Sequence, residues 1–320
     1  MIRNTDRSHL EATWLVIVNP QASNGRVGRE WPAWKSRLAT LIPNMEVRIS
    51  TERGSATALI EEGVQAGLRY ILAVGGDGIA HQVINGIMQQ RTVPSTALTF
   101  ALLPVGTGND WIKTHQIPRQ WEDWSSYFQK AVTRQQNLGK IIYQDKNGQA
   151  QRYFLNVAGL AYDAFVVQFT NEKTTRLPGK LFYFWATFRC LFQYRPQQGK
   201  LSFNEQEVVT PFYTINLGIG TYSGGGMQLV PHAEAAAKYM ALTYVGKVSR
   251  LAVLLNSFRF YKGRIAHYSK ASLHHTTQIT VSPLAGEEIL VEADGEFLGS
   301  SPTTITMEPL ALKFLAPPQH

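Results

Sequence analysis

The sequence has a single cysteine, Cys190, among its 320 residues. One thiol cannot form a disulfide framework within the chain, and it excludes a metal site built from several cysteines. Charged side chains are also scarce, at 17% of the residues, where about a quarter is usual in globular chains. Because 44% of the residues are hydrophobic, the chain can bury a sizeable core, and we expect more than one folded domain.

Long apolar runs are absent as well. Residues 1–14, MIRNTDRSHLEATW, contain no continuous hydrophobic segment, so a signal peptide is not predicted. The strongest membrane-spanning candidate, residues 181–192, is too short and contains Arg189. It belongs to an aromatic segment, residues 176–196, for which we expect a helix packed on its own domain, with a membrane-facing edge as the alternative. These absences favour a cytoplasmic protein.

Acidic residues are in deficit, with 23 Asp and Glu against 31 Lys and Arg, which leaves a net charge of +8. This balance favours a polyanionic partner such as nucleic acid, an anionic membrane or a phosphorylated substrate. Compact clusters of Lys and Arg interleaved with aromatic residues are missing, so nucleic acid is not expected.

Strand–loop–helix units recur along residues 14–110. Strands are predicted at 14–20, 45–51, 70–76 and 96–104, and helices at 30–42, 55–67 and 79–90, with Ser55 as an N-cap. This alternation predicts an α/β domain with a parallel sheet over residues 1–136. Ligands of such sheets bind beyond the carboxyl ends of the strands.

The pattern changes after residue 136. Short strand candidates separated by turns, with helical stretches at 175–194 and 249–262, predict a second, β-rich and sandwich-like antiparallel domain over residues 137–320. The last residues of the chain can belong to the first domain again.

Glycine-rich loops follow two of the predicted parallel strands. In the first, Gly75-Gly76-Asp77-Gly78, glycines can let backbone N–H groups face a phosphate at a helix N-terminus. Alone, this tetrapeptide is equally consistent with a tight turn in which Asp77 is a cap. The second loop, PVGTGND at residues 104–110, places the Thr107 hydroxyl between glycines. Two such loops at one sheet edge favour phosphate binding.

Six motifs, in order, resemble those of the diacylglycerol kinase catalytic-domain family, which includes bacterial soluble lipid kinases and sphingosine kinases. They are VNPQASNG, GGDG with the following VING, PVGTGND, NVAGLAYDAFV, YSGGGMQLVPHA and ADGEFLG. The resemblance covers nearly the full chain. It implies a fold like those of NAD kinase and diacylglycerol kinase, with the active site in the cleft between two domains.

The resemblance further implies an ATP-dependent lipid kinase that phosphorylates a hydroxyl of diacylglycerol or a related lipid at an anionic membrane surface. Mg²⁺ would bridge the ATP phosphates, with Asp77 as an indirect partner. Asp294, Glu296 and Asp77 would be catalytic. The positions implied to contact the nucleotide or the substrate beside it are Asn19, Pro20, Gly25, Thr51, Gly75, Gly76, Asp77, Gly78, His81, Thr107, Gly108, Asn109 and Asp110. For the DGE segment alone, a hairpin turn is the alternative.

The chain departs from the family pattern at three places. Ile79 stands where the family has Thr, and His81-Gln82 stands where it has Asn-Glu. Ala236, Ala237 and Lys238 replace the acidic segment that can bind a structural metal, so we expect no metal there. These departures leave open a weakened or inactive relative that binds lipid or nucleotide. An NAD kinase is a second alternative, because GGDG loops occur in that family too, although the PVGTGND and YSGGGM motifs argue against it. Homodimer formation is also left open.

Overall fold

The computed structural model of the chain describes residues 8–22, 24–51, 54–105, 109–172, 179–284 and 286–318. These residues form two compact units. The first joins the chain up to Gln136 with the segment from Leu310 onwards, and the second is Asn137–Pro309. The chain therefore leaves the first unit once and re-enters it with its last strand.

The first unit alternates strands and helices. Its elements are α1 (Ser8–Glu11), β1 (Trp14–Val18), α2 (Arg26–Leu41), β2 (Met45–Ile49), α3 (Ser55–Gln65), β3 (Tyr70–Gly75), α4 (Asp77–Gln89), β4 (Thr99–Pro104), α5 (Asp110–His115) and α6 (Trp121–Lys130). The strands pair in parallel in the order β2–β1–β3–β4. The end of β15 (Glu296–Ala316) extends this sheet by pairing in parallel with β4. The predicted α/β domain with a parallel sheet is confirmed.

Buried apolar strands explain this sheet. Every residue of β1 and β4 is buried, as expected for parallel strands covered by helices on both faces. One local prediction is wrong: Gly54, not Ser55, is the N-cap of α3. Gly54 has a positive φ of 87°, which glycine adopts without strain, while the Ser55 hydroxyl lies 2.9 Å from the Ser50 hydroxyl.

The second unit is β-rich and antiparallel, as predicted. Its elements are β5 (Val132–Asp145, which begins in the first unit), β6 (Gly148–Phe154), β7 (Val157–Ala161), α7 (Tyr162–Glu172), α8 (Gly179–Gln193), β8 (Gln197–Phe203), β9 (Gln206–Phe212), β10 (Thr214–Gly218), β11 (Met240–Val245), α9 (Arg250–Tyr261), β12 (Ala271–Thr276), β13 (Gln278–Pro283), β14 (Leu290–Ala293) and the start of β15. Within this unit β12, β11, β10, β7, β14 and β15 are successive antiparallel neighbours.

The aromatic segment expected to be a helix is α8. One face is packed into the core of the second unit, where Ala186 and Cys190 are fully buried. The other face carries Trp185 and Phe192, which are 48% and 60% exposed. The packed helix expected from the sequence is therefore present in the described part of this segment, and the membrane-facing edge stays a prediction.

Candidate active site

Three loops gather at the carboxyl edge of the parallel sheet. β1, β3 and β4 are neighbours and end at Val18, Gly75 and Pro104, so the segments that follow them begin side by side. Hydrogen bonds connect them: the Asn19 N–H donates to the carbonyl oxygen of Val74 at 3.4 Å. Arg26, at the start of α2, donates through Nη2 to the Val105 carbonyl oxygen at 3.3 Å. The segments that follow these three strands are thus hydrogen-bonded to one another at this edge.

The first loop is a compact turn at the start of α2. The Asn19 side-chain oxygen accepts the Gln21 N–H at 2.9 Å, and the Pro20 carbonyl oxygen accepts the Gly28 N–H at 3.0 Å. Gly25, the N-cap of α2, has a φ of 77° and carries no side chain that could cap the helix. The N–H groups of Val27 and Gly28 instead donate to the Ala22 and Pro20 carbonyl oxygens, at 3.3 and 3.0 Å, so the loop closes onto the start of α2, where the positive end of the helix dipole suits an anionic ligand.

The second loop brings Gly75 against Ile79. Gly75 has a φ of 153°, and a Cβ on it would lie 2.7 Å from Ile79 Cγ2. Ile79 is 1% exposed, so the departure from Thr places an apolar side chain over the loop backbone. Gly76, the N-cap of α4, resembles Gly25 in lacking a side chain, and Asp77 and Gly78 form the first turn of that helix. Two helix N-termini with glycine caps thus stand at this edge.

Ile79→Thr is expected to destabilise the protein by about 1–3 kcal/mol, because it buries a hydroxyl where a methylene packs. Urea denaturation measures this change. Ile79→Val is the matched control, since it removes the same volume without a hydroxyl and should cost about 1 kcal/mol. If the Thr variant is as stable as the Val variant, the hydroxyl has a hydrogen-bond partner at this loop, and the prediction that its burial is costly is wrong.

Asp77 ties the second loop to the third. Its carboxylate accepts the Asp110 N–H at 2.9 and 3.0 Å and the Trp111 N–H at 3.3 Å. These are the first N–H groups of α5. Asp77 is therefore a capping residue, as the alternative from the sequence had it, but the helix that it caps begins 33 residues further along the chain. The GGDG motif is thereby fixed to the start of α5 at Asp110 and Trp111.

Asn109 and Asp110 are both buried where the third loop enters α5. Asn109 is fully buried, has a φ of 55° and donates through Nδ2 to the Pro104 carbonyl oxygen at 3.4 Å. The Asp110 carboxylate pairs with Lys113 Nζ at 2.5 Å. Lys113 is a cation at this edge that the sequence analysis missed, although its position one turn into a helix after an acid is a usual pairing signal. Gly106, Thr107 and Gly108 lie outside the described residues.

The remaining nucleotide candidates differ in exposure. Thr51 is exposed two residues after the end of β2. His81 is 4% exposed on α4, its ring Nε2 lies 3.3 Å from Asn85 Nδ2, and its carbonyl oxygen accepts from that same Nδ2 at 2.9 Å. The structure thus gives His81 a partner on its own helix, and its assignment to a nucleotide stays a prediction.

His115, at the end of α5, makes the stability of this unit depend on pH. Its ring nitrogen lies 2.6 Å from Gln136 Oε1 and its ring packs on Phe314, and burial lowers its pKa from 6.5 to about 4. The unfolded chain therefore binds a proton between pH 6.5 and 4 that the folded chain does not, so stability is lost as the pH falls through this window. We expect a loss of up to about 3 kcal/mol. Urea unfolding at pH 7 and pH 4.5 should show this loss of stability. His115→Gln should abolish the loss, whereas the control His267→Gln, at an exposed histidine, should leave it unchanged.

In the second unit, Asp294 and Gly295 form the turn between β14 and β15. Both have positive φ values, 51° and 82°, so the hairpin alternative for this segment is the observed local structure. The Asp294 carboxylate accepts the N–H groups of Leu155 and Asn156 at 3.0 Å and of Val157 at 3.2 Å. Asp294 thus holds the segment that opens the NVAGLAYDAFV motif. Glu296 begins β15 and is partly buried.

Two buried acids beneath this turn escaped the sequence analysis. Glu292 accepts the Gly295 N–H at 2.8 Å and an N–H from Gly159, and burial raises the pKa of its carboxyl well above its usual value. Burial also raises the pKa of Asp163, which accepts hydrogen bonds from Thr214 and Asn216. The signal that could have found them is an acid inside an apolar run, LVEA and AYDAF. Glu292 sets the position of the turn.

Glu292→Gln should change the pH dependence of stability. Because the folded-state pKa of Glu292 is raised, its contribution is complete at low pH and is lost as the pH rises above the usual range of a Glu carboxyl. The stability of the Gln variant relative to the natural protein should therefore increase between pH 5 and 8. Urea unfolding measures it, with the exposed Glu287→Gln as the control. A constant difference across this range would show that Glu292 is ionised in the folded chain.

The described residues contain no group of three or more His, Cys, Asp or Glu side chains arranged to hold a metal ion. Within the same residues, the helices are all too short or too polar to cross a bilayer.

Comparison with known proteins identifies the class. Residues 13–141 match the model of the family described as Diacylglycerol kinase catalytic domain. Residues 156–316 match the model of the family described as YegS C-terminal NAD kinase beta sandwich-like domain. The chain is thus a lipid kinase by class, a phosphotransferase. It belongs to the diacylglycerol kinase catalytic-domain family, and the resemblance drawn from the six motifs is confirmed.

Individual relatives agree with this assignment. A "Probable lipid kinase YegS-like" of Chromohalobacter salexigens is 27% identical over 222 residues, which cover 69% of this chain and 67% of the relative. A "Diacylglycerol kinase" of Staphylococcus aureus is 24% identical and covers 90% of this chain and 87% of its own length. The crystal structure of a diacylglycerol kinase from Bacillus anthracis str. Sterne has the same fold, with a TM-score of 0.67, 19% identity and coverage of 96% and 97%.

Proposed function

We propose that this lipid kinase transfers the γ-phosphoryl group of ATP to a hydroxyl of diacylglycerol or a related lipid. The observation that carries the proposal is the link from Asp77 to the first N–H groups of α5, which fixes GGDG against Asp110 and Trp111 at the carboxyl edge of a parallel sheet. Two loops built only as turns would not need a partly buried carboxylate to hold them together, whereas a phosphate cradle needs a fixed backbone.

The nucleotide would lie on the first unit. The N-terminus of α4, with its glycine N-cap, would offer N–H groups and the positive helix dipole to the phosphates, and the N-terminus of α2 would add its own dipole. Asn19, Gly75, Gly76 and Gly78 let the backbone approach closely, and Thr107 would add a hydroxyl donor.

Mg²⁺ is the divalent ion that kinases use to neutralise phosphate charge. The residues fit an indirect role. The two Asp77 oxygens together accept two backbone N–H groups, so the carboxylate keeps acceptor capacity for a metal-bound water. When bound, the ion would reduce the negative charge of the phosphates, and Asp77 would orient its water shell.

Glu296 is the acid to which we assign proton transfer. The lipid hydroxyl attacks the γ-phosphorus, an oxygen–phosphorus bond forms, the bond from that phosphorus to the bridging oxygen of ADP breaks, and the hydroxyl proton passes to the Glu296 carboxylate. Asp294 is assigned a positioning role, because its carboxylate already accepts three backbone N–H groups.

A radiolabelled-ATP assay tests the proposal. Diacylglycerol, ceramide and sphingosine are presented in mixed micelles with a non-ionic detergent, and NAD is presented in buffer, all with Mg²⁺. We expect label in a lipid product and none in NAD. Label in NAD alone would replace the proposal by an NAD kinase. No label in any acceptor, with ATP binding intact, would favour the inactive relative.

A further inference from the structure

The positive charge of the chain is concentrated in one segment. Between Glu234 and Glu287 the sequence contains no Asp or Glu, but it contains seven Lys and Arg residues. This segment therefore carries all but one of the net positive charges of the chain. The cations are Lys238, Lys247, Arg250, Arg259, Lys262, Arg264 and Lys270.

Helix α9 lies within this segment and is apolar on two faces. Val253 is 8% exposed, and it packs with Ala252 on the core of the second unit. Leu251 and Leu255, one helical turn apart, are 64% and 63% exposed, and Leu254 beside them is 37% exposed. A helix on a protein surface normally turns charged or polar residues to solvent, so three leucines there leave a face that water solvates poorly.

Exposed cations border this apolar face at both ends. Lys247 and Arg250 stand at the start of α9, and Lys262 and Arg264 at its end, and all four are exposed. Lys262 is the C-cap of the helix. An apolar strip with basic residues at its borders is the arrangement of a helix that lies in a membrane interface, where leucines enter the acyl boundary and cations meet anionic head groups.

We propose that α9 with its flanking cations is a docking surface for an anionic lipid bilayer. The inference rests on the proposed function in that a lipid kinase must reach a substrate held in a membrane. Charge complementarity selects this occupant. A second copy of the chain would bring two strongly positive segments together, and nucleic acid would use the cations but leave the leucines in water.

Vesicle co-sedimentation of the full chain, without ATP, tests the proposal. Phosphatidylcholine vesicles are compared with vesicles that also contain phosphatidylglycerol. We expect binding to the mixed vesicles to exceed binding to the neutral ones. Lys262→Gln with Arg264→Gln should weaken binding about 25-fold, at roughly fivefold per cation. Leu251→Ser with Leu255→Ser should weaken it about tenfold or more.

Matched controls lie in the same unit. Lys146→Gln with Arg152→Gln removes two exposed cations outside the segment, and Val209→Ser changes a side chain that is 60% exposed on β9. These variants should bind like the natural protein. Equal loss in the controls, equal binding to neutral and anionic vesicles, or a leucine variant that changes the oligomeric state in light scattering would each overturn the proposal.

Activity on micellar lipid separates this proposal from the proposed function. The α9 variants should keep full activity on a lipid in non-ionic detergent micelles and lose it on anionic vesicles. If the natural protein binds anionic vesicles as expected but labels no lipid in either form, the docking surface stands and the proposed function fails. The cations would instead be assigned to nucleic acid under two conditions. The natural protein would bind a random-sequence RNA tightly but vesicles weakly, and the leucine variant would keep the RNA binding.

Discussion

Replacing Glu296 by glutamine should lower kcat for lipid phosphorylation by about 10²–10⁴-fold, because the variant has no carboxylate to accept the hydroxyl proton. Glutamine has nearly the same shape and remains an acceptor, so the fold should be kept. We expect the thermal unfolding midpoint to stay within about 2 °C of that of the natural protein. Steady-state kinetics with saturating ATP and differential scanning calorimetry measure the two quantities.

Asp294→Asn is the informative partner of this variant. Its amide has one oxygen where the carboxylate has two, so at least one of the three N–H groups of residues 155–157 loses its acceptor. We expect a loss of about 1–3 kcal/mol in stability, with a smaller loss of kcat than for Glu296→Gln. A large loss of kcat at unchanged stability would instead make Asp294 the acceptor of the hydroxyl proton, and full activity of Glu296→Gln would remove Glu296 from the chemistry.

Asp77→Ala should reduce both stability and activity. Two backbone N–H groups at the start of α5 lose their acceptor, which should cost about 2–4 kcal/mol. Because Asn109 and Asp110 then lose their fixed position next to the GGDG loop, kcat/KM for ATP should fall by about 10²-fold or more. Chemical denaturation and steady-state kinetics test the two effects.

The exposed acid Asp123→Ala on α6 is the control for Asp77→Ala, and it should change neither quantity. Asp77→Asn keeps one oxygen acceptor and should be intermediate in stability. Were Asp77→Ala as stable as the natural protein but inactive, the carboxylate would act on the phosphates or their metal and not through α5.

Local sequence determines the parts of this molecule that were predicted well. Continuous apolar runs such as WLVIV specify buried parallel strands, and the turn residues after them specify where loops begin. Helix α7 was missed because the apolar run VAGLAYDAFVV changes from strand to helix at Tyr162 with no Gly or Pro at the change. Periodicity alone cannot separate a buried strand from a buried helix over so few residues.

The contacts of the acids depend on distant parts of the chain and could not be read from motifs. Asp77 accepts N–H groups 33 residues away, and Asp294 accepts them 137 to 139 residues away. The motif identifies both residues as important, but only the folded backbone shows that each holds a segment in place. Ile79 likewise reads as a lost hydroxyl in the sequence, and the structure shows it packed over Gly75.

The most direct test of the account is the transfer of label from γ-labelled ATP to diacylglycerol by the natural protein with Mg²⁺, alongside Glu296→Gln. The account predicts a labelled lipid product that requires the natural Glu296, together with no labelled NAD. A folded natural protein that binds ATP but labels no lipid would contradict this prediction. A Glu296→Gln variant that labels diacylglycerol as well as the natural protein does would contradict it too.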